Sequence, residues 1–266
     1  MNQITAASDI PSPRAWQVAT KVPKLTLYFW IIKILTTALG ESFSDFMVNT
    51  INPYIAVTFG GIFLVVALLL QFKAIRYVPW VYWLTALAVS VAGTMAADVA
   101  HVVIGIPYVV SVAMYAFILG LLFLVWYRSE KTLSVHSISS KRREFFYWAV
   151  VLATFALGTA AGDLAAYTYH LGFIMSASIF ILIFSIPCIM YWGFRANAIF
   201  TFWFAYIFTR PIGASFADWF GKPISGGGLG VGALTVSILL TVILFAFVAY
   251  VSIRHTDSHY KAPVQD

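Results

Sequence analysis

Residues 28–45 read Tyr-Phe-Trp-Ile-Ile-Lys-Ile-Leu-Thr-Thr-Ala-Leu-Gly-Glu-Ser-Phe-Ser-Asp, an apolar run that opens on aromatics and closes on an aspartate. Its frame is an aromatic and Trp, nine residues, Gly, four residues and Asp, and it returns three more times at identical spacing. The Trp, Gly and Asp positions are Trp30, Gly40 and Asp45; Trp83, Gly93 and Asp98; Trp148, Gly158 and Asp163; and Trp203, Gly213 and Asp218. Repetition at this period takes precedence over any local reading. Each copy lies in a long apolar stretch, so four carboxylates fall in lipid-spanning segments, where an ionisable group is costly and functional by default.

The chain has 266 residues, of which 61% are hydrophobic and 10% charged, and its mean hydropathy is +0.89. Apolar runs of about 20 residues without strict alternation favour spanning helices over a β-barrel. Eight spans are expected, at 25–47, 53–72, 79–100, 105–127, 145–166, 170–192, 197–219 and 228–251. Each copy of the motif supplies two of them. Successive aspartates are 53, 65 and 55 residues apart, so repeats separated by an even number of spans enter the membrane in the same sense. The expected fold class is therefore all-α: a polytopic transmembrane bundle of eight helices in four parallel helical-hairpin repeats, not the inverted pairs of many carriers. Its parts are an N-terminal segment (1–24), a first membrane half (25–127), a basic linker (128–144), a second membrane half (145–251) and a tail (252–266).

The net charge of +6 is a matter of topology, not of nucleic-acid binding. Lys21, Lys24, Lys73, Arg76, Arg128, Lys131, residues 141–143, Arg195 and Arg254 precede odd spans or follow even ones, while the opposite loops hold only Lys222. The positive-inside rule then predicts a multi-pass protein of the bacterial inner membrane with both termini cytoplasmic. Polar residues with Pro11 and Pro13 before the first span do not read as a cleaved signal peptide. Cys188 is the only cysteine, which excludes an internal disulfide and a cysteine-cluster metal site.

Trp to Asp is 15 residues, about 22 Å of helix at roughly 1.5 Å per residue. The indoles thus suit one interface as belt anchors, the glycines suit close helix packing, and both sets are expected to serve packing between repeats. The aspartates fall toward the opposite face. Steps of four along a helix stay on one side. Reading back from each Asp gives Glu41, Thr37 and Lys33; Thr94, Ser90 and Ala86; Thr159, Phe155 and Val151; and Ala214, Arg210 and Tyr206. If the odd helices face one centre, it holds Asp45, Asp98, Asp163, Asp218 and Glu41 against Lys33 and Arg210. Such carboxylates would titrate as a coupled set and could exchange protons for a cation. Alternatively, Lys33–Glu41 and Arg210–Asp pairs simply neutralise buried charge and fix the bundle. Arg210 precedes Pro211, which removes a backbone donor and can interrupt the seventh span as a moving element.

Carboxylates and hydroxyls suit a divalent or monovalent hard cation, or protons. His101 and His170, on the Asp side, are candidate metal ligands that could tune such a site toward softer divalent ions. A small organic cation is a further option, held on aromatic faces. The glycine run over residues 226–232 follows no strand and lacks a Walker-type Lys-Ser/Thr, so it reads as a flexible turn and not a nucleotide site.

The stretch from Lys21 to Asp45, with its Gly40-Glu41 and Asp45, resembles a family of uncharacterised bacterial membrane-anchored proteins built from a four-fold membrane repeat of unknown function. The resemblance implies a bacterial-type polytopic membrane protein and carries no assigned activity. The fourth repeat departs from the first, with Ala214 where Glu41 stands and Arg210 one turn further back. Proton-coupled transport of a cation through the carboxylate cluster is the function the residues favour. The lipid bilayer and the cation or a small cationic substrate are the partners, and a homo-oligomer is an open possibility. A non-transporting scaffold or sensor with structural ion pairs, and a lipid-modifying membrane enzyme, are the alternatives.

Overall fold

The computed structural model describes residues 20–254. Expectations for residues 1–19 and 255–266, including Pro11 and Pro13, lie outside the described residues. Eight helices follow one another: α1 Leu27–Thr50, α2 Pro53–Lys73, α3 Pro79–Asp98, α4 Tyr108–Glu130, α5 Lys141–Asp163, α6 Gly172–Phe194, α7 Ala198–Gly221 and α8 Ala233–Arg254. No strand occurs among the described residues. Local chemistry sets the starts: Asn52 accepts from the Tyr54 amide at 3.0 Å ahead of Pro53, Asn197 accepts from Ile199 at 2.9 Å, and Ser140 accepts from Arg143 at 3.3 Å. The Ser140 cap starts α5 inside the basic stretch, and α4 runs on to Glu130, so the connection between the halves shrinks to residues 131–140.

Six helices (all but α1 and α7) are long and apolar enough to cross a membrane by length and composition. This is a multi-pass membrane protein. The odd helices form a closed inner ring in which α1 packs on α3, α3 on α5, α5 on α7 and α7 on α1. Each even helix lies outside, chiefly against the next odd helix: α2 on α3, α4 on α5, α6 on α7 and α8 on α1. The most apolar stretches of α3 and α5 are 67% and 61% buried, against 17 to 28% for the four outer helices. The outer layer is thus the lipid-facing one. α1 and α7 carry Lys33, Glu41 and Asp45 and Arg210 and Asp218, and the ring encloses them.

The seams of the ring follow one rule. A Cβ on Gly40 would strike Ser90, one on Gly93 would strike Phe155, one on Gly158 would strike Arg210, and one on Gly213 would strike Thr37. Every motif glycine therefore meets the residue three before the next repeat's glycine, and the fourth seam returns to the first helix. The aromatic before each Trp obeys the same cycle. Ring centroids lie 5.8 Å apart for Phe29 and Trp83, 5.4 Å for Tyr82 and Trp148, 6.1 Å for Tyr147 and Trp203, and 5.8 Å for Phe202 and Trp30. Trp83, Trp148 and Trp203 are buried between repeats, so belt anchoring does not describe them; only Trp30 is partly exposed. These repeated contacts make the four odd helices parallel and level, with a Trp end and an Asp end.

Candidate functional site

Because the ring is closed, the four-residue stripes meet on its axis as layers. From the Asp end these are Asp45, Asp98, Asp163 and Asp218; then Glu41, Thr94, Thr159 and Ala214; then Thr37, Ser90, Phe155 and Arg210; then Lys33, Ala86, Val151 and Tyr206. Arg210 occupies the centre at 1% exposure. Its Nη2 donates to Glu41 Oε2, to Thr94 Oγ1 and, at 2.7 Å, to Thr159 Oγ1, and its Nη1 donates to the Thr37 carbonyl at 2.9 Å. Thr94 also donates to Glu41 Oε2 at 3.3 Å. One side chain from the fourth repeat thus binds groups of the other three. The pair to Arg210 is Glu41 and not an aspartate, which corrects the expected Arg210–Asp contact.

Lys33 does not pair with Glu41. Its Nζ lies 3.8 Å from the Phe155 ring centroid and 4.2 Å from that of Tyr206, with no hydrogen-bond partner. Arg210 approaches the same Phe155 ring at 5.3 Å, so one ring is shared by two cationic side chains. The step from Arg210 to Pro211 lies inside an unbroken α7, so the expected interruption is absent. Pro211 is accommodated where Gly158 leaves room for its ring.

The aspartate layer is unevenly compensated. Lys222 Nζ lies 2.5 Å from Asp45 Oδ2 and 3.6 Å from Asp218 Oδ1, whereas no lysine or arginine among the described residues comes within ion-pair distance of Asp98 or Asp163. Asp98 is within Coulombic reach of Glu41, Asp163 and Asp45. Burial works against the Lys222 ammonium, but Asp218 and Asp45 outweigh it and hold it above the ordinary lysine value. Sequence reading placed Lys222 in a loop and missed this role; the available signal was its position four residues after Asp218. The glycine run supplies the geometry. Gly230 N bonds Lys222 O at 2.9 Å, Leu229 N bonds Trp219 O at 2.6 Å and Val231 N bonds Phe220 O at 3.1 Å, so the turn is tied to α7 and not loose. Gly227, Gly230 and Gly232 have positive φ, and a Cβ at Gly228 would strike the Lys222 carbonyl.

Repeats two and three replace that lysine with a change of backbone. A π-helical turn follows Asp98 (Val99–Val103) and another follows Asp163 (Leu164–Thr168). His101 sits in the first, with Nδ1 3.0 Å from the Ile106 carbonyl and its ring tilted against that of Tyr108, centroids 4.1 Å apart. His170 is exposed in a left-handed conformation. No group of three or more His, Cys, Asp or Glu able to hold a metal ion occurs among the described residues. The expected ligand role of His101 and His170 finds no such set around either residue.

Four segments, residues 28–77, 81–132, 146–197 and 201–256, match the family profile described as Repeat of Unknown Function (DUF347). The chain belongs to this family. Each DUF347 segment begins within the first two turns of an inner helix, at its Trp end, and takes in the outer helix that follows. No curated protein and no solved structure matches the chain. One DUF347 unit cannot bury its own motif face, since every glycine and every motif aromatic is covered by the next unit in the ring.

Proposed function

We propose that the protein moves a cation across the membrane in exchange for protons, with the aspartate layer as the binding position. Supporting this reading is a column of ionisable and hydroxyl side chains on the axis of a membrane-embedded ring, where such groups are costly to keep. A cation entering from the Asp end meets Asp98 and Asp163 on the side that lacks a lysine. The carboxylates form no compact ligand set, which favours a cation held by charge, retaining water or organic groups, over one chelated tightly. Passage requires the Arg210–Glu41 contact to open, and a proton on Glu41 would release it. Lys33 and Arg210 supply the counter-charge that moves against the substrate. The Trp end would face the cytoplasm of a bacterial cell, because the lysines and arginines gather there and Lys222 is the sole lysine or arginine in the loops at the Asp end.

The test is flux in sealed proteoliposomes, with internal pH recorded as Mn²⁺, Mg²⁺, Ca²⁺, Zn²⁺, Na⁺, K⁺ or an organic ammonium is added outside. A cation-dependent pH change that disappears in Asp163→Asn supports exchange. Silence of the intact, folded protein across that panel rejects it. A specific observation favours a second reading, that of a scaffold: Arg210 is bonded to all three other repeats, as a structural keystone would be. Under that reading Asp163→Asn leaves every measured property unchanged and only the Arg210 network matters.

A further inference from the structure

At the Trp end of the ring, chain that would ordinarily lie on the surface is buried. Thr20, Lys21 and Val22, just ahead of α1, are 2 to 8% exposed, and Val135 and Ile138 of the connection between the halves are 4% and 0% exposed. The two segments meet where the Lys21 amide donates to the Ile138 carbonyl at 2.9 Å. Lys21 Nζ then donates to Glu144 Oε2 at 2.6 Å, in the first turn of α5. In the ring α1 packs on α3 and α7, so α5 stands opposite it. The strap of residues 20–26 therefore reaches from one side of the Trp-end mouth to the other. The connection is anchored on a third side, where the Trp203 indole near the start of α7 donates to the Leu133 carbonyl at 2.9 Å. Val22, Val135 and Ile138 join the same apolar cluster as the motif aromatics Phe29, Tyr82, Tyr147 and Phe202. Strap and connection together cover the last layer of the ring.

We propose that this strap, held by the Lys21–Glu144 pair, is a gate over the Trp-end mouth that must lift for the cation to pass; this rests on the transport reading above. Glu144 stands four residues before its motif Trp, a place that Thr26, Pro79 and Ile199 fill in the other repeats, so the ring itself needs no acid there. It is 0% exposed, and both its oxygens are engaged, Oε2 by Lys21 and Oε1 by Gln71 Nε2 at 2.8 Å from the end of α2. A buried pair of this kind adds little stability over apolar packing, because desolvation cancels most of the attraction. What it supplies is a definite closed position. The pair sits at the rim, so lifting the strap returns both ions to water, and renewed hydration offsets the attraction that is lost. The Arg210–Glu41 contact, enclosed at the centre of the ring, has no such route. Because the strap covers the motif aromatics, the axis opens at this end only after it has left. The two ion pairs are then gates in series, one at the mouth and one at the centre.

Two measurements test the gate, both in a Cys188→Ser background, which removes the only cysteine. In the first, Ile138→Cys reports exposure at the strap contact through its rate of labelling by a water-soluble maleimide in detergent. Lys21→Met strands Glu144 in the closed position only, and should speed that labelling on the order of 10²-fold. Glu144→Gln stands in if size exclusion shows that Lys21→Met does not fold. An unchanged labelling rate overturns the gate. In the second, Lys21→Cys with Glu144→Cys is bridged before reconstitution by a bis-maleimide that contains a reducible disulfide. With the panel of metal and ammonium ions above, the internal pH change in proteoliposomes should fall to the protein-free level in the bridged protein and return on adding a permeant thiol. Recovery in the same molecules separates locking from misfolding. Unaltered flux in the bridged protein overturns the gate while leaving transport in place. Silence of the intact protein overturns both proposals together.

Discussion

Gly213 of the fourth repeat packs against Thr37 of the first, as Gly40 packs against Ser90. A Cβ on Gly213 would also meet the Ala38 backbone amide, and backbone cannot turn aside as a side chain can. Gly213→Ala should therefore lower stability by about 1–3 kcal/mol, the usual cost of overpacking. Gly120, which has nothing within 4 Å, should accept Ala without loss. Thermal unfolding in detergent compares the two.

Arg210 and Glu41 are both nearly inaccessible, so removing one strands the other. Arg210→Met or Glu41→Gln alone should cost about 3–5 kcal/mol. Replacing both by methionine should cost clearly less than the sum, since an apolar pair needs no counter-ion. A double-mutant cycle of chemical unfolding reads the coupling.

Lys222→Met leaves Asp45 and Asp218 without their cation. The sign of its pH dependence follows from the raised ionisation of Lys222. A raised folded value contributes stability that is fully present below the unfolded value of 10.5 and is lost only as pH climbs past the folded value. The stability difference between intact protein and Lys222→Met should thus not decline between neutrality and 10.5. A decline of that difference just above neutrality would contradict the assignment of Lys222 as their permanent partner.

Gly228→Ala should reproduce the Lys222→Met phenotype without altering any charge, because the new Cβ displaces the Lys222 backbone. Cation-dependent pH change in vesicles and unfolding temperature are the paired readouts. Gly226→Ala, at a position with open space, is the matched control.

Trp148→Ala should cost about 3–5 kcal/mol, as for other buried large-to-small changes. Trp30→Ala should cost less, because Trp30 is partly exposed whereas Trp148 is buried. Equal losses measured by thermal unfolding would count against the difference in burial as the cause.

The stripes Asp45–Glu41–Thr37–Lys33 and Asp218–Ala214–Arg210–Tyr206 were legible because steps of four hold to one face of a helix whatever surrounds it. The identity of each partner was not. Arg210 reaches Glu41 because α7 closes against α1, a contact between positions 169 residues apart that no local pattern encodes. Lys222 looked like topology because its pairing depends on a glycine turn folding back onto α7. The tryptophans looked like interface anchors because composition alone cannot tell a lipid surface from a neighbouring repeat. Pro211 looked like a break because the space left by Gly158 lies on another helix.

The outermost pairing of the ring, α8 on α1 with Tyr28 against Tyr250, has a consequence for ancestry and engineering. A cycle has no first member, and both ends of the chain of helices lie side by side at the Trp end. Joining them and opening the 131–140 connection would give a permuted gene that encodes the same contacts in a new order. The two halves expressed as separate polypeptides would present to each other the seams that one polypeptide now closes by itself. Such a fold can arise by duplicating a single hairpin that once assembled with three copies of itself. Once the copies were fused, Arg210 and Glu41 were free to diverge, each appearing in one repeat only.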